Sequence, residues 1–283
     1  MNNNENKKNE IHLDVYGDRS ELHLEDRIMV YKEGFQNAET QRRYELINST
    51  LSAGFLERKI ELLEDENFER LSDENKKLLR DLVDGITSEV GRALVGVAFL
   101  QLAIKAIVPD QSIRLHKGTT RRGSFSWVDG ISMRTIDSSY ITPFLRQYGL
   151  LNVNKYGVFM TRSLAENYPY SKLYKAEMRG PFNEWINIVD ALEDNSMPAE
   201  LSLSYLLALL KNRSDAFQNK ADEAVALVAN HKKDTFERIE EMLIQFFNET
   251  GYSARAFEVV MHGFMQALQD LHLLGDYQLV PMS

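Results

Sequence analysis

The run VGRALVGVAFLQLAIKAIV, from Val90 to Val108, constrains the fold more than any other stretch of this chain. It is apolar nearly all the way round, and such a helix has to be covered on every side. Its length approaches what a bilayer requires. Yet Arg92, Gln101 and Lys105 interrupt it, and a charge deep inside a span is costly. The expectation is therefore a central buried helix, not a membrane helix, with Pro109-Asp110 ending it.

The rest of the chain supplies helices to cover it. From Leu24 to Leu63 apolar residues recur at helical steps, beginning with Ile28, Val30, Tyr31 and Phe35. Ser72 and Asp73 read as an N-cap before Leu78, Leu79, Leu82, Val83 and Ile86. After the centre, helical patterns return at Phe182 to Leu192, Leu201 to Leu210, Asp222 to Val228, Thr235 to Phe247 and Ala254 to Leu274. In the last two, Ile239, Met242, Leu243, Phe246 and Phe247, then Phe257, Val260, Met261, Phe264, Leu268 and Leu271, form stripes expected to be core. Ile11 to Tyr16 alternates and reads as a short strand or an extended arm. The predicted fold is mainly α. It is a multi-helix bundle with a glycine-rich basic loop region in the middle and little or no β. Residues 1–24 are expected to be a flexible arm, 25–274 a helical domain and 275–283 an extended tail.

The centre, 110–182, differs in composition from its flanks. It holds eleven Lys and Arg against five acids, a balance of 11 − 5 = +6 in a chain of net charge −9. Six of the 15 glycines fall there, among many aromatic residues. The stretch IRLHKGTTRRGSFSWVDGISMR shows no helical period, and its glycines suit positive φ or close approach of backbone to a partner. Loops of this length are more often functional than not. Asp137 to Gln147 reads as a short helix, Thr161 to Glu166 as one turn, and Ser171 to Arg179 as a basic helix with Lys172, Lys175 and Arg179 on one face. Positive charge interleaved with aromatics in an acidic frame points to an anionic partner.

Catalytic chemistry is harder to find. Glu-x-Lys occurs at Glu5-Asn6-Lys7, Glu57-Arg58-Lys59 and Glu74-Asn75-Lys76, in the arm or in helical patterns rather than beside the strand a Mg²⁺ nuclease uses. The histidines at 12, 23, 116, 231, 262 and 272 lack paired ligand spacing, so no metal site is expected. With no cysteine, disulfides and thiolate sites are excluded, which fits a cytoplasmic protein.

Gly123-Ser124-Phe125-Ser126, Pro143-Phe144, Phe159 to Ser171 and Met178-Arg179-Gly180, set among helices in this order, resemble the helical N-terminal region of SacI-type restriction endonucleases. The likeness runs from about Leu78 to Leu274. It implies sequence-specific recognition of double-stranded DNA in restriction-modification and phage defence. In that family a nuclease domain of the Asp…Glu-x-Lys type follows, near where this sequence ends. The resemblance thus implies that a type II site-specific deoxyribonuclease activity would draw its carboxylates from another domain or subunit. No cofactor is expected in this chain, Mg²⁺ belonging to such a partner. A palindromic target would imply a homodimer.

For DNA, the expected phosphate contacts are Arg114, Lys117, Arg121, Arg122, Lys172, Lys175 and Arg179. Arg134, Arg162 and Asn167 carry forked or amide groups suited to base edges, and Ser124, Ser126 and Ser163 could donate to either. Trp127, Tyr168 and Tyr170 could pack on sugars or wedge into a groove. The competing reading is a helical protein–protein interaction or regulatory protein of a phage-defence system, using the tyrosine-rich segment and not binding DNA.

Overall fold

The computed structural model describes residues 11–87, 90–160, 162–174, 178–230, 236–249, 253–273 and 275. Two compact units divide the chain, residues 1–218 and 219–283. The first unit opens on strands β1 (His12–Val15), β2 (Arg19–His23) and β3 (Ile28–Lys32). Helices follow: α1 (Ala38–Ser52), α2 (Phe55–Glu61), α3 (Asp73–Asp84), α4 (Arg92–Ile107), α5 (Met133–Ile136), α6 (Thr142–Gln147) and α7 (Phe182–Glu193). Helix α8 (Ala199–Asn230) comes next, and the second unit holds α9 (Phe236–Glu249) and α10 (Ser253–Asp270).

The expectation of little or no β is corrected. The described residues are about 58% helical, but the fold is mixed, with a three-stranded antiparallel sheet in the order β1-β2-β3. The stretch read as an arm supplies β1 and β2, and Ile28 to Lys32, read as the start of a helix, is β3. Pairing explains the misreading. Tyr31 stands opposite Ser20 and Met29 opposite Leu22, so alternate residues share one face. Leu22 and Tyr31 on that face are buried with Leu115 and Trp127 in a small core of their own. Ile28 and Val30 point away and stay about half exposed, at 57% and 49%.

The buried central helix is as expected. In α4 every residue from Leu94 to Lys105 is buried. Helix α7 lies parallel to it. Gly91, which precedes α4, sits against Pro181, which precedes α7, while at the other ends Lys105 Nζ lies 3.4 Å from Glu193 Oε1. Helix α3 runs the opposite way, since Gly85 after its end also meets Pro181 and Asn75 near its start donates to the Ser196 carbonyl. Ser72 caps α3 by accepting from the Asn75 N–H, as expected.

Gln101 shows how a polar residue survives in the middle of α4. Its Nε2 donates to the Ile113 carbonyl at 2.9 Å, and its Oε1 accepts from Trp185 Nε1 at 2.7 Å. Among the described residues Ser171 to Tyr174 form a turn, Met178 and Arg179 are not helical, and Lys175 lies outside them, so the expected basic helix is not seen there. The tail from 276 onward also lies outside the described residues.

The second unit departs from expectation in its packing. Phe247 and Phe257 meet, with ring centroids 6.2 Å apart. Yet Ile239, Phe257, Met261, Phe264 and Leu271, read as core, are 40% to 67% exposed. Their period is helical, but among the described residues these faces are not covered.

Replacing Gln101 with Leu would strand the Trp185 N–H and the Ile113 carbonyl together. Gln101→Leu is expected to lower the unfolding free energy by about 2–4 kcal/mol, read as a fall in the urea midpoint at unchanged slope.

Candidate nucleic-acid interface

The loop from Thr119 to Ser126 projects from a stem held by backbone hydrogen bonds. Trp127 N donates to the Lys117 carbonyl, Gln36 N to Thr119, and Gly34 N to Ser126. Val128 N donates to Lys32, so the stem continues the edge of β3, with Glu33 and Trp127 paired across it. Gly118 and Gly130 meet there backbone to backbone. A Cβ on Gly118 would lie 1.9 Å from the Gly130 carbonyl oxygen, and one on Gly130 would lie 1.9 Å from that of Lys117. Close approach was the expected use of these glycines, but the neighbour is the protein's own chain. Gly123 differs, with φ +82° near the loop apex and nothing within 4 Å of an added Cβ, so it serves the turn.

This stem divides the expected DNA contacts into inside and outside. Arg121, Arg122 and Ser124 are exposed on the loop. Ser126 and Trp127, expected at the groove, are turned inward. Ser126 Oγ accepts from Thr119 N at 2.7 Å, and Trp127 is wholly buried against Tyr31 and Phe125.

Arg114, expected on phosphate, is likewise buried. Its Nη1 donates to the Tyr170 carbonyl at 2.7 Å and its Nη2 to Asp190 at 2.6 Å. Tyr170 is fully buried beside Trp185, and its hydroxyl donates to the Leu164 carbonyl. Burial raises the Tyr170 pKa well above its ordinary value, so the phenol stays a neutral donor. Ser126, Trp127, Arg114 and Tyr170 therefore build the scaffold and present nothing to a ligand.

Beside the loop lies a cleft of about 350 Å³ lined by Val15, Glu33, Lys117, Phe125, Glu166, Asn167 and Tyr168, among others. It brings together three expected residues distant in sequence. Lys117 Nζ donates to Asn167 Oδ1, Nζ also lies 5.8 Å from the Phe125 ring centre, and Tyr168 stands half-buried next to Asn167. Partial burial lowers the Lys117 pKa. With two glutamates to one lysine, the cleft itself is not a phosphate pocket.

The remaining expected residues separate. Lys172 is exposed and precedes Leu173, which packs against the small core under Phe125. Arg179 is exposed at the opposite end of α7, where a Cβ on Gly180 would come 2.8 Å from Gly91 Cα. At about 1.5 Å per residue the twelve residues of α7 put some 18 Å between its ends. Arg134 is exposed at the start of α5. The side chains of Arg162 and Ser163, and all of Lys175, lie outside the described residues.

A second basic surface had no role assigned from the sequence. A cleft of about 600 Å³ is lined by Thr142, Arg146, Gln147, Asn152 and Lys155, among others. Arg92 donates to the Asn152 carbonyl and Arg146 to that of Val153, so both guanidinium groups are positioned by backbone rather than neutralised by acids among the described residues. The local pattern of α6 gives no sign of it, because the cleft forms only when the 149–155 turn folds back over the helix.

His116, the one histidine of the basic centre, is stacked between Phe159 and Tyr170 at centroid distances of 6.1 and 5.5 Å. Burial, and after it the Lys117 charge, hold its pKa down to about 4 against an opposing pull from the Ala165 backbone. The unfolded chain takes up this proton near pH 6.5. Stability is thus intact above that value and is lost as pH falls toward 4. At pH 5 the loss is about 2 kcal/mol. His116→Phe keeps a ring in the stack, and urea unfolding at pH 7 and pH 5 is expected to show an acid penalty smaller by that amount. No protein-family model, curated protein or solved structure matches this chain, so the resemblance to SacI-type enzymes rests on the motifs quoted above.

Proposed function

We propose that this chain is a double-stranded DNA-recognition module whose Thr119–Ser126 loop grips the phosphate backbone while the neighbouring cleft meets base edges. The observation that carries the reading is the pairing of two exposed arginines, Arg121 and Arg122, with a hydrogen-bonded stem that holds the loop out from the body. A preformed loop of this kind loses little entropy on binding. Asn167 supplies the amide suited to adenine, and Glu33 or Glu166 an acceptor for the cytosine amino group. Exposed Lys172 and Ser124 extend the phosphate contacts around the same small core.

Through its resemblance to SacI-type enzymes the module serves restriction in the cytoplasm. Scission carboxylates and Mg²⁺ come from another domain or subunit, and two copies meet a palindromic target. Among the described residues no helix is long and apolar enough to cross a membrane.

The second reading, a protein-interaction or regulatory role without DNA, is favoured by the exposed apolar residues of α9, α10 and the turn after it, Phe257 and Phe264 at 58% and Leu271 at 67% among them. Selection of duplexes from a random pool, followed by titration at several salt concentrations, separates the two. The paired change Arg121→Ala, Arg122→Ala is expected to weaken binding to all duplexes and flatten the log–log salt slope by about 2. Asn167→Ala is expected to relax the preference at one base pair by about 1–3 kcal/mol. Indifference to duplex at low salt would leave the interaction reading.

A further inference from the structure

The solvent face of the N-terminal sheet gathers two imidazoles and two carboxylates that the sequence spacing does not reveal. His12 and His23 are direct partners across β1 and β2, as are Asp14 and Glu21, while the intervening pair Leu13 and Leu22 turns to the opposite face. Alternation therefore puts His12, Asp14, Glu21 and His23 on the same outer surface. The two imidazole rings stack at 4.1 Å with 13° between their planes. Asp14 Oδ2 lies 3.3 Å from His23 Nε2 and 3.8 Å from His12 Nε2. All three residues can bring a ligand atom within 4.8 Å of the others. His23 Nε2 is shielded from solvent and makes no hydrogen bond among the described residues.

We propose that His12, His23 and Asp14 form a site for a divalent first-row transition ion, with Zn²⁺ the best match. Two neutral imidazoles and a carboxylate are the donor set such ions take, whereas Mg²⁺ and Ca²⁺ prefer oxygen throughout. Bonds of about 2.0–2.2 Å in a tetrahedral site set ligand atoms roughly 3.3–3.6 Å apart, close to the two distances to Asp14. The stacked rings have to splay for both nitrogens to aim at one point. His12, on the edge strand with its side chain 50% exposed, has the room to turn. Glu21 is the fourth group. Arg19 Nε holds its Oε1 at 2.6 Å, and its Oε2 faces His23 Nε2 at 3.9 Å. The ion would clip the edge strand β1 to β2.

The test is calorimetric titration of the full chain, free of any affinity tag, with Zn²⁺, and visible absorption with Co²⁺ as the spectroscopic probe. One ion per chain and Co²⁺ d–d bands are expected, with slower amide exchange over residues 12–23 when Zn²⁺ is present. His12→Ala and His23→Ala are each expected to weaken Zn²⁺ binding by at least about 100-fold, since even an outer partner of a ligand costs 10–100-fold. His262→Ala, on α10, is expected to leave the affinity unchanged. Should His23→Ala disturb the sheet, Asp14→Asn keeps the side-chain size and is expected to show the same direction of loss. No d–d bands, or affinity unmoved by the His12 and His23 changes, would mean that the cluster is an ordinary imidazole–carboxylate pair. No DNA is present in the measurement, so its outcome is independent of the nucleic-acid reading.

Discussion

The first unit depends on a set of polar groups buried where the C-terminal ends of α4 and α7 meet the start of the central segment. Lys105 and Glu193 pair with side chains only 7% and 6% exposed. Burying two charges is expensive unless every remaining donor and acceptor is met. Here they are met closely. Lys105 Nζ also donates to the Pro109 carbonyl, and Glu193 accepts from Ile113 N and from Ser112 Oγ. Arg114, bonded to Asp190 and to the Tyr170 carbonyl, ties the same corner to the 164–174 segment. An apolar substitute could fill the space, but it would not specify which loop carbonyl lies over which helix end.

That arrangement uses positive charge which composition alone would assign to the surface. Lys105 and Arg114 serve inside, and His116 is held neutral between aromatic rings. What remains for an anion is smaller than a balance of +6 suggests and is divided in space. Arg121, Arg122 and Lys172 lie around the small core. Arg179 stands at the far end of α7, and Arg146 and Lys155 line another cleft. A duplex about as wide as α7 is long could meet more than one of these groups, but among the described residues of the central segment it is the loop that holds adjacent exposed arginines on a hydrogen-bonded stem.

Much of this was legible in the sequence because burial leaves a period. The run around Phe99 announced α4, and Ser72 announced the start of α3, since a side-chain cap needs a particular residue at a particular place. The sheet was hidden for the opposite reason. With β3 exposed on one face, Ile28, Val30 and Tyr31 could be joined to Phe35 as a helical stripe, and only the pairing with β2 fixes the period at two. The apolar stripes of α9 and α10 identify helices correctly, but periodicity does not state whether the covering partner belongs to the same chain. Of the residues expected to meet a ligand, Lys117, Asn167 and Tyr168 come together in one cleft. Arg114, Ser126, Trp127 and Tyr170 were misplaced because chemistry suited to a ligand is equally suited to a buried hydrogen bond.

The sheet and the basic loop share one small core, and Trp127 joins them. Its ring closes the small core from below, against Leu22, Tyr31 and Leu115. Its backbone N–H joins the two stems of the loop by donating to Lys117, and Glu33 pairs with it at the end of β3. Phe125, one residue earlier, packs edge-on against the same indole and lines the cleft. The loop bearing Arg121 and Arg122 is thus hydrogen-bonded to the end of β3, which pairs with β2 and through it with β1. The cleft, the loop and the sheet thus share one small core, and it is tied to the helical body at several points, by Gln36 Nε2 donating to the Gly130 carbonyl, Gln111 Nε2 to that of Asp129, and the Arg27–Asp194 ion pair.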